Sequence, residues 1–323
     1  MKKLLFISAL GISAASSFGQ FTLTSFDNGL GYNQNFDSVL PSGTTTAPAI
    51  SALPNATSGL LNGTTSVTAV SGSVATAFAF PNNEWTYSWG NPTNSANNQM
   101  ASINGGTLVG STYTGTTNST GGFKNYGISG DADRSLGTLA SGTSVTGVTN
   151  LSMNMGLSLL NGTTTSTGTV ALDYTLKTWR FGAANQADGY TLSYALFKGG
   201  SGYSASSLSN DANWKMGATY YQSNGGADTF ANTPPSATQA GADAGVNGNL
   251  AANQRAIKAR FELSRNGDLY EPGDLLVIRF SDLNNPGNDQ GISIDNLQVV
   301  PEPASMAVLG LGIFGLARRR RNK

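Results

Sequence analysis

In Met153-Asn154-Met155-Gly156-Leu157-Ser158-Leu159, apolar residues occupy every second position. Side chains alternate between the two faces of a β-strand, so this pattern predicts a strand with one buried face and one face in water. The same period recurs at 257–263 and 170–176, and 190–198 is a further predicted strand. Residues 275–280 form a continuous apolar run, which is typical of a central strand.

Turn residues separate these segments, and helical periodicity is confined to the two ends of the chain, so the sequence predicts an all-β protein. We expect an antiparallel two-sheet sandwich of jelly-roll type, flanked by an N-terminal signal helix and a short C-terminal membrane helix. No linker divides the body. The expected organisation is therefore a signal peptide at 1–19, a sandwich body at 20–299 and a sorting tail at 300–323.

Composition excludes several kinds of chemistry. The 323 residues include no Cys and no His, which rules out disulfides, thiolate nucleophiles, imidazole bases and the usual zinc ligand sets. Seven of the 18 basic residues lie at the two ends of the chain, so the rest carries 17 acids against 11 bases. A body with this acidic balance lacks the basic patch with which nucleic-acid binding begins, and we expect no nucleic-acid partner.

The N-terminus has the three parts of a secretory signal peptide. Lys2 and Lys3 precede an apolar segment at 4–15, and Ser17 and Gly19 are the small residues at positions −3 and −1 of a cut before Gln20. The sequence therefore predicts export.

At the other end, an apolar run of 14 residues, Ala304 to Ala317, is followed by basic residues. As a helix it would be roughly 21 Å long, against a hydrocarbon core of about 30 Å, so the run predicts a short membrane stop. The cluster at its end would hold the cytoplasmic side of the membrane; it consists of Arg318, Arg319, Arg320 and Arg321.

Val300-Pro301-Glu302-Pro303, the apolar run and the arginine cluster follow one another in this order. The tail resembles the PEP-CTERM sorting tail, also called the ice-binding protein C-terminal domain. The resemblance implies export, transient anchoring in the inner membrane, recognition of Pro-Glu-Pro by an exosortase, and a final place at the outer cell surface or outside the cell. An exosortase is a membrane transpeptidase-like enzyme of Gram-negative bacteria. The resemblance does not imply ice binding by the body.

Four segments of the body resemble a domain that recurs in secreted bacterial proteins upstream of such tails. They are Asn35-Phe36-Asp37, Asp131–Gly137 with the LASG that follows, Thr178–Gly182 and Gly287–Leu297. The resemblance implies a β-sandwich of unassigned activity. Where that family commonly has His after Asn-Asp, this chain has Gln290, so the resemblance supplies no titrating group there.

Two sets of residues are candidates for ligand binding. Asp282, Asp289 and Asp295 are hard oxygen donors of the kind that Ca²⁺ takes, although the loop among them is equally consistent with side chains that cap their own backbone. Apart from calcium, no cofactor is expected. The other set shares one strand face by period 2 and would either stack on sugar rings or fill the core; it comprises Trp85, Tyr87 and Trp89.

These features favour a non-enzymatic cell-surface or extracellular-matrix protein with a structural or interaction role. The alternative is a carbohydrate-binding module for extracellular polysaccharide. A carboxylate-dependent hydrolase is the third hypothesis, and it needs two acids that face each other across a sugar bond. No acid pair in the sequence has that setting, so we expect no catalytic residues.

Overall fold

The structure is a computed structural model that describes residues 20–26, 31–37, 61–62, 67–68, 77–78, 84–89, 100–104, 108–109, 112–113, 122–128, 131–139, 152–181, 189–203, 211–216, 218–221, 245–283 and 289–302. The predicted signal helix, the predicted membrane helix and the arginine cluster lie outside these residues. Within them, no helix is both long and apolar enough to cross a membrane.

The described residues form β-strands joined by turns and short 3-10 helices. The strands are β1 (Phe21–Leu23), β2 (Tyr32–Gln34), β3 (Leu61–Asn62), β4 (Val67–Thr68), β5 (Ala77–Phe78), β6 (Trp85–Trp89), β7 (Met100–Asn104), β8 (Leu108–Val109), β9 (Thr112–Tyr113), β10 (Gly122–Gly127), β11 (Ser135–Leu139), β12 (Ser152–Asn161), β13 (Thr169–Arg180), β14 (Thr191–Phe197), β15 (Lys215–Met216), β16 (Ala218–Tyr221), β17 (Gly245–Val246), β18 (Gln254–Glu262), β19 (Leu275–Leu283) and β20 (Gly291–Glu302). The 3-10 helices are Lys198–Gly200, Asp211–Asn213, Ala251–Asn253 and Leu263–Asn266.

Two sheets account for nearly all of these strands. The first has the order β15-β14-β19-β12-β6-β3, with β1 also paired to β12. The second has the order β7-β10-β11-β20-β13-β17-β9-β8, and in it β18 also pairs with β13 and β2 with β20. The long strands pair antiparallel, as expected, but β1 with β12 and β7 with β10 are parallel pairs. The all-β class and the two packed sheets are confirmed, whereas the jelly-roll type stays a prediction.

One continuous hydrophobic core lies between the two sheets. Met155 and Leu157 of β12 enter it from the first sheet, and Leu172 of β13 and Ile294 of β20 enter it from the second. Aromatic rings also meet across the sheets, since the Tyr174 and Phe280 rings form an edge-to-face contact at 5.7 Å. Such packing is how a sandwich buries the apolar face of each sheet.

The alternating segments at 153–159 and 170–176 are confirmed as strands with one core-facing set of side chains, and so is the third up to Glu262, after which Leu263 begins a 3-10 helix. The expected water-facing side of 153–159 is wrong at Ser158, which is fully buried. The continuous apolar run is confirmed as a central strand, because β19 lies between β14 and β12. Leu276 and Ile278 face the main core, while Leu275 and Val277 belong to a second cluster that includes Trp214. The run is continuous because both faces of β19 are covered.

The last strand continues past the expected end of the body. β20 runs to Glu302, so the expected boundary between residues 299 and 300 falls inside a strand. Val300, Pro301 and Glu302 therefore belong to the second sheet, opposite Ala171 and its neighbours in β13.

Candidate functional site

Three of the sequence segments singled out above come together because β11, β20 and β13 are neighbours in the second sheet. Residues 131–137 lead into β11, residues 178–180 end β13, and residues 291–297 begin β20. The fourth segment joins them, since the backbone N–H of Arg134 donates to Asp37 Oδ1 at 2.8 Å. We call this place the motif cluster and define it by its buried or bridging members: Asp131, Asp133, Arg134, Lys177, Trp179, Asn249, Ser293 and Asp295.

Lys177 is the centre of the motif cluster. Its Nζ donates to Asp133 Oδ1 at 2.6 Å and to Asn249 Oδ1 at 3.0 Å, and it lies 2.7 Å from Asp295 Oδ2. A lysine ammonium has three donors, so these three acceptors use its whole capacity. The side chains of Lys177 and Asp295 are 1% and 4% exposed, whereas that of Asp133 is 41% exposed. The buried charge of Lys177 is thus matched by one buried and one half-exposed carboxylate.

Asn249 joins a distant part of the chain to the cluster. Besides accepting from Lys177, it donates through Nδ2 to Asp131 Oδ2 at 3.0 Å and to the Asp133 carbonyl at 3.2 Å. Its own backbone N–H donates to Asn247 Oδ1 at 2.9 Å, which fixes the turn that carries it. Asn249 therefore holds the residues before β18 against the residues before β11.

Burial changes the acid–base properties of two charged groups in the cluster. It raises the pKa of Asp295 to about 6, although the hydrogen bond and charge of Lys177 and the backbone N–H of Asn296 act in the opposite direction. Burial lowers the pKa of Arg134 to about 10, while Asp131, Asp133 and Asp37 favour its charged form. At neutral pH Arg134 stays protonated. The Asp295 carboxyl is mostly ionised there, because pH 7 is only about one unit above its pKa.

Strand irregularities place these groups. The register between β13 and β20 shifts between Asp173 and Thr175, and Asn296, opposite that shift, has a φ of 49°. A bulge of this kind re-aims the neighbouring side chains, and Asn is among the residues that tolerate positive φ best. Asp295 comes directly before the bulge. The Asp295 side chain also accepts the Asn296 backbone N–H at 2.7 Å, so the bulge and the carboxylate stabilise each other.

An aromatic pair lies beside the charged groups. The rings of Trp179 and Tyr126 are stacked at 5.4 Å with an interplanar angle of 6°, and both side chains are buried. Trp179 Nε1 donates to Ser293 Oγ at 2.8 Å, and Ser135 Oγ lies within hydrogen-bond distance of Ser293 Oγ at 2.7 Å. The polar edge of the indole is thus satisfied inside the protein.

The segment Asn35-Phe36-Asp37 connects the cluster with the main core. Phe36 has a φ of 62°, which is uncommon for a residue with a bulky side chain and costs on the order of 1–3 kcal/mol. Its ring is buried 5.8 Å from that of Trp85, and its backbone N–H donates to Gln34 Oε1 at 2.8 Å. This conformation lets one residue enter the core while the next, Asp37, binds Arg134.

Of the two alternatives left open for the aromatic set, Trp85 takes the one in the core. This residue is fully buried in the core, and its Nε1 donates to the Tyr32 hydroxyl at 2.8 Å. The three aromatics do lie on one strand, β6, and Trp85 packs in the core between the sheets. The side chains of Tyr87 and Trp89 lie outside what the structure describes.

The three candidate calcium ligands are not brought together into one group of acidic side chains. Asp295 is engaged by Lys177, and Asp282 and Asp289 are buried. Within the described residues there is no group of three or more acidic side chains placed to hold a metal ion. Residues 284–288, which lie between Asp282 and Asp289 in the sequence, are not among those described, so calcium binding stays a prediction.

Lys177 and Asn249 carry no sequence signal that marks them as site residues. Lys177 occupies an outward position of an alternating strand, where a lysine is normally solvated, and it is distinguished only in that Thr178 and Trp179 follow it. No local pattern distinguishes Asn249 from the other asparagines of its segment. Both acquire their places through contacts between residues far apart in sequence.

The sorting residues form a separate candidate site at the other end of β20. Val300 pairs with Ala171 and Pro301 with Val170, and Glu302 pairs with Thr169. Pro301 is buried, and Val299 just before it is fully buried in the core. Pro303 lies outside the described residues.

A search of curated proteins finds no match to this chain. Among solved structures, the chain is similar to TmCBM61, determined in complex with β-1,4-galactotriose, at 8% identity and a TM-score of 0.23, over 54% of this chain and 74% of that one. A score this low supports no conclusion about fold or ligand. Residues 299–321 match the family described as the PEP-CTERM protein-sorting motif. The chain thus carries a PEP-CTERM sorting motif, which implies an exported protein that an exosortase sorts.

Proposed function

We propose that this is an exported cell-surface or extracellular-matrix protein with a structural or interaction role, whose sandwich body an exosortase releases or attaches by way of Val300-Pro301-Glu302-Pro303. The observation that carries the proposal is that the sorting motif continues directly from β20, a strand in the middle of the second sheet. Cleavage or attachment at the motif would therefore release or attach the whole body. During sorting, the apolar run from Ala304 to Ala317 anchors the protein in the inner membrane, and the arginine cluster lies on the cytoplasmic side.

The geometry of the motif cluster supports a role that is not enzymatic. A glycosidase needs two carboxyl groups separated by the space of a sugar bond and its attacking water. Here Lys177 stands between Asp133 and Asp295 and binds both at hydrogen-bond distance. The buried ion pair of Lys177 with Asp295, the hydrogen-bonded indole of Trp179 and the amide bridge of Asn249 hold strands together, which is what a stable surface protein requires.

Binding of extracellular polysaccharide is the alternative within the same class of function. Trp85 cannot take part because it is buried. Retention of the protein on polysaccharide gels, compared with its mobility in a gel without polysaccharide, separates this alternative from a purely structural role.

Intact-mass spectrometry of the protein from the envelope and medium of an exosortase-bearing host tests the sorting step. We expect the wild type to lose the residues that follow the motif and Glu302→Ala to keep them. Glu262→Ala is the matched control, because Glu262 and Glu302 flank the same residue, Thr169, from its two neighbouring strands. Retention of Arg318 to Lys323 in the wild type would contradict the proposal.

A further inference from the structure

The described part of the sorting motif is held in the sheet by pairing and burial. Val300, Pro301 and Glu302 pair in sequence with Ala171, Val170 and Thr169 of β13. Pro301 is buried, and Val299 is fully buried directly before it. Residues 300–302 of the motif are therefore part of the folded body, with no linker between them and the rest of β20.

The strand opposite the motif is itself held firmly. Thr167, two residues before β13, is buried and exchanges backbone hydrogen bonds with Tyr270 at 2.9 and 3.1 Å. Its Oγ1 donates to the Thr169 carbonyl at 2.9 Å and accepts the Thr169 backbone N–H at 3.1 Å. Tyr270 in turn donates to the Leu159 carbonyl at 2.7 Å, in the first sheet. If the two strands separate here, it is the end of β20 that must move.

Peptide-recognising proteins read an extended segment through its backbone groups and alternate side chains. A segment already paired in a sheet has these groups occupied, so an enzyme reaches it only from a locally opened state. We infer that the folded sandwich masks the first part of the sorting motif, and that the sorting enzyme acts on the chain when the end of β20, from Val300 to Glu302, has left β13. This inference rests on the proposed function and adds that the fold of the body sets the rate of sorting.

The test separates the motif from the sheet without changing it. Four residues, Gly-Ser-Gly-Ser, are inserted between Val299 and Val300 of the full chain, which moves the intact Val300-Pro301-Glu302-Pro303 beyond its pairing with β13. The matched control carries the same insertion between Ser201 and Gly202, two exposed turn residues far from β20 in sequence. Pulse-chase labelling in an exosortase-bearing host gives the half-time of sorting, and thermal unfolding verifies that both variants are folded.

We expect the linker variant to be sorted at least about fivefold faster than wild type, which is the factor that one net backbone hydrogen bond of about 1 kcal/mol supplies. The control variant should match wild type. Equal or slower sorting of the linker variant, with wild type sorted and Glu302→Ala not sorted, would overturn the inference alone. Failure of wild type to be sorted would overturn the proposed function and this inference with it.

A measurement without any insertion gives a second test. Hydrogen exchange of the full chain in detergent, followed by mass spectrometry of the peptide from Leu297 to Glu302, reports on opening of this strand end. We expect exchange at least about tenfold slower than in the same peptide free in solution, because paired amides exchange only when they open. Exchange at the rate of the free peptide would also overturn the inference.

Discussion

Replacing Lys177 with methionine removes the charge at the centre of the motif cluster while keeping much of the hydrocarbon of its side chain. Asp295, 4% exposed, is then left without its cation, and loss of one partner of a buried ion pair costs about 3–5 kcal/mol. Asp133 is 41% exposed and regains water, so its share is below about 1 kcal/mol. We expect Lys177→Met to lower the free energy of unfolding by about 3–5 kcal/mol at pH 8.

The assay is equilibrium urea unfolding, with Lys258→Met as the matched control. Lys258 pairs at 3.3 Å with Asp173 of the same strand, β13, but both side chains are about half exposed, 47% and 48%. Its replacement should therefore cost less than about 1 kcal/mol. The loss in Lys177→Met should also shrink at pH 5, because without the lysine the pKa of Asp295 rises further and its carboxyl takes up a proton. Equal, small losses in the two variants would refute the reasoning.

Three further substitutions test other contacts. The folded-state pKa of Asp295, about 6, lies above its unfolded value of 3.8, so the stability this group contributes is present below 3.8 and lost as the pH rises through 6. Between pH 7 and pH 4 the wild type should gain about 2 kcal/mol of unfolding free energy relative to Asp295→Asn in paired urea titrations, and parallel pH profiles would contradict this. Gly248→Ala places a methyl group against the ring of Trp179 and should cost about 1–3 kcal/mol in the same assay, whereas an unchanged midpoint would mean that the ring can shift. Gly31→Ala directs a methyl group at the carbonyl oxygen of Val299, a backbone atom that cannot rotate away. We therefore expect β2 to lose its pairing with β20 and hydrogen exchange in 297–302 to become faster. Unchanged exchange would contradict this expectation.

The strands of the body could be predicted because their patterns are local. The apolar side chains of Met153 to Leu159 alternate because one face of β12 packs on the main core, while the other face carries small or polar residues such as the buried Ser158. Leu275 to Ile278 does not alternate because apolar clusters cover both faces of β19. Which strands pair with each other could not be predicted in this way. That β13 and β20 are neighbours, or that β7 and β10 run parallel, depends on contacts across long sequence separations, about which a local period carries no information.

The candidate site could be predicted only in part, for the same reason. The segments that meet in the motif cluster were found by resemblance, but Lys177 was not, because burial of a lysine depends on acceptors that arrive from residues 133, 249 and 295. For Trp85 the period placed the strand correctly. The period could not say whether Trp85 points into the core or into water, and in the structure Trp85 is fully buried in the core.

The two candidate sites lie at opposite ends of one strand, and this arrangement bears on how the protein is sorted. From Asp295 to Glu302 the strand extends roughly 24 Å at about 3.4 Å per residue. Its beginning is held by β11, by β13 and by the ion pair of Asp295 with Lys177, whereas the pairings found for residues 300–302 are with β13. Stability within a fold is not uniform, and a strand end opens at lower cost than a strand fastened on both sides. Because the motif cluster fastens the beginning of β20, its end can leave the sheet for the sorting enzyme while the rest of the sandwich stays folded.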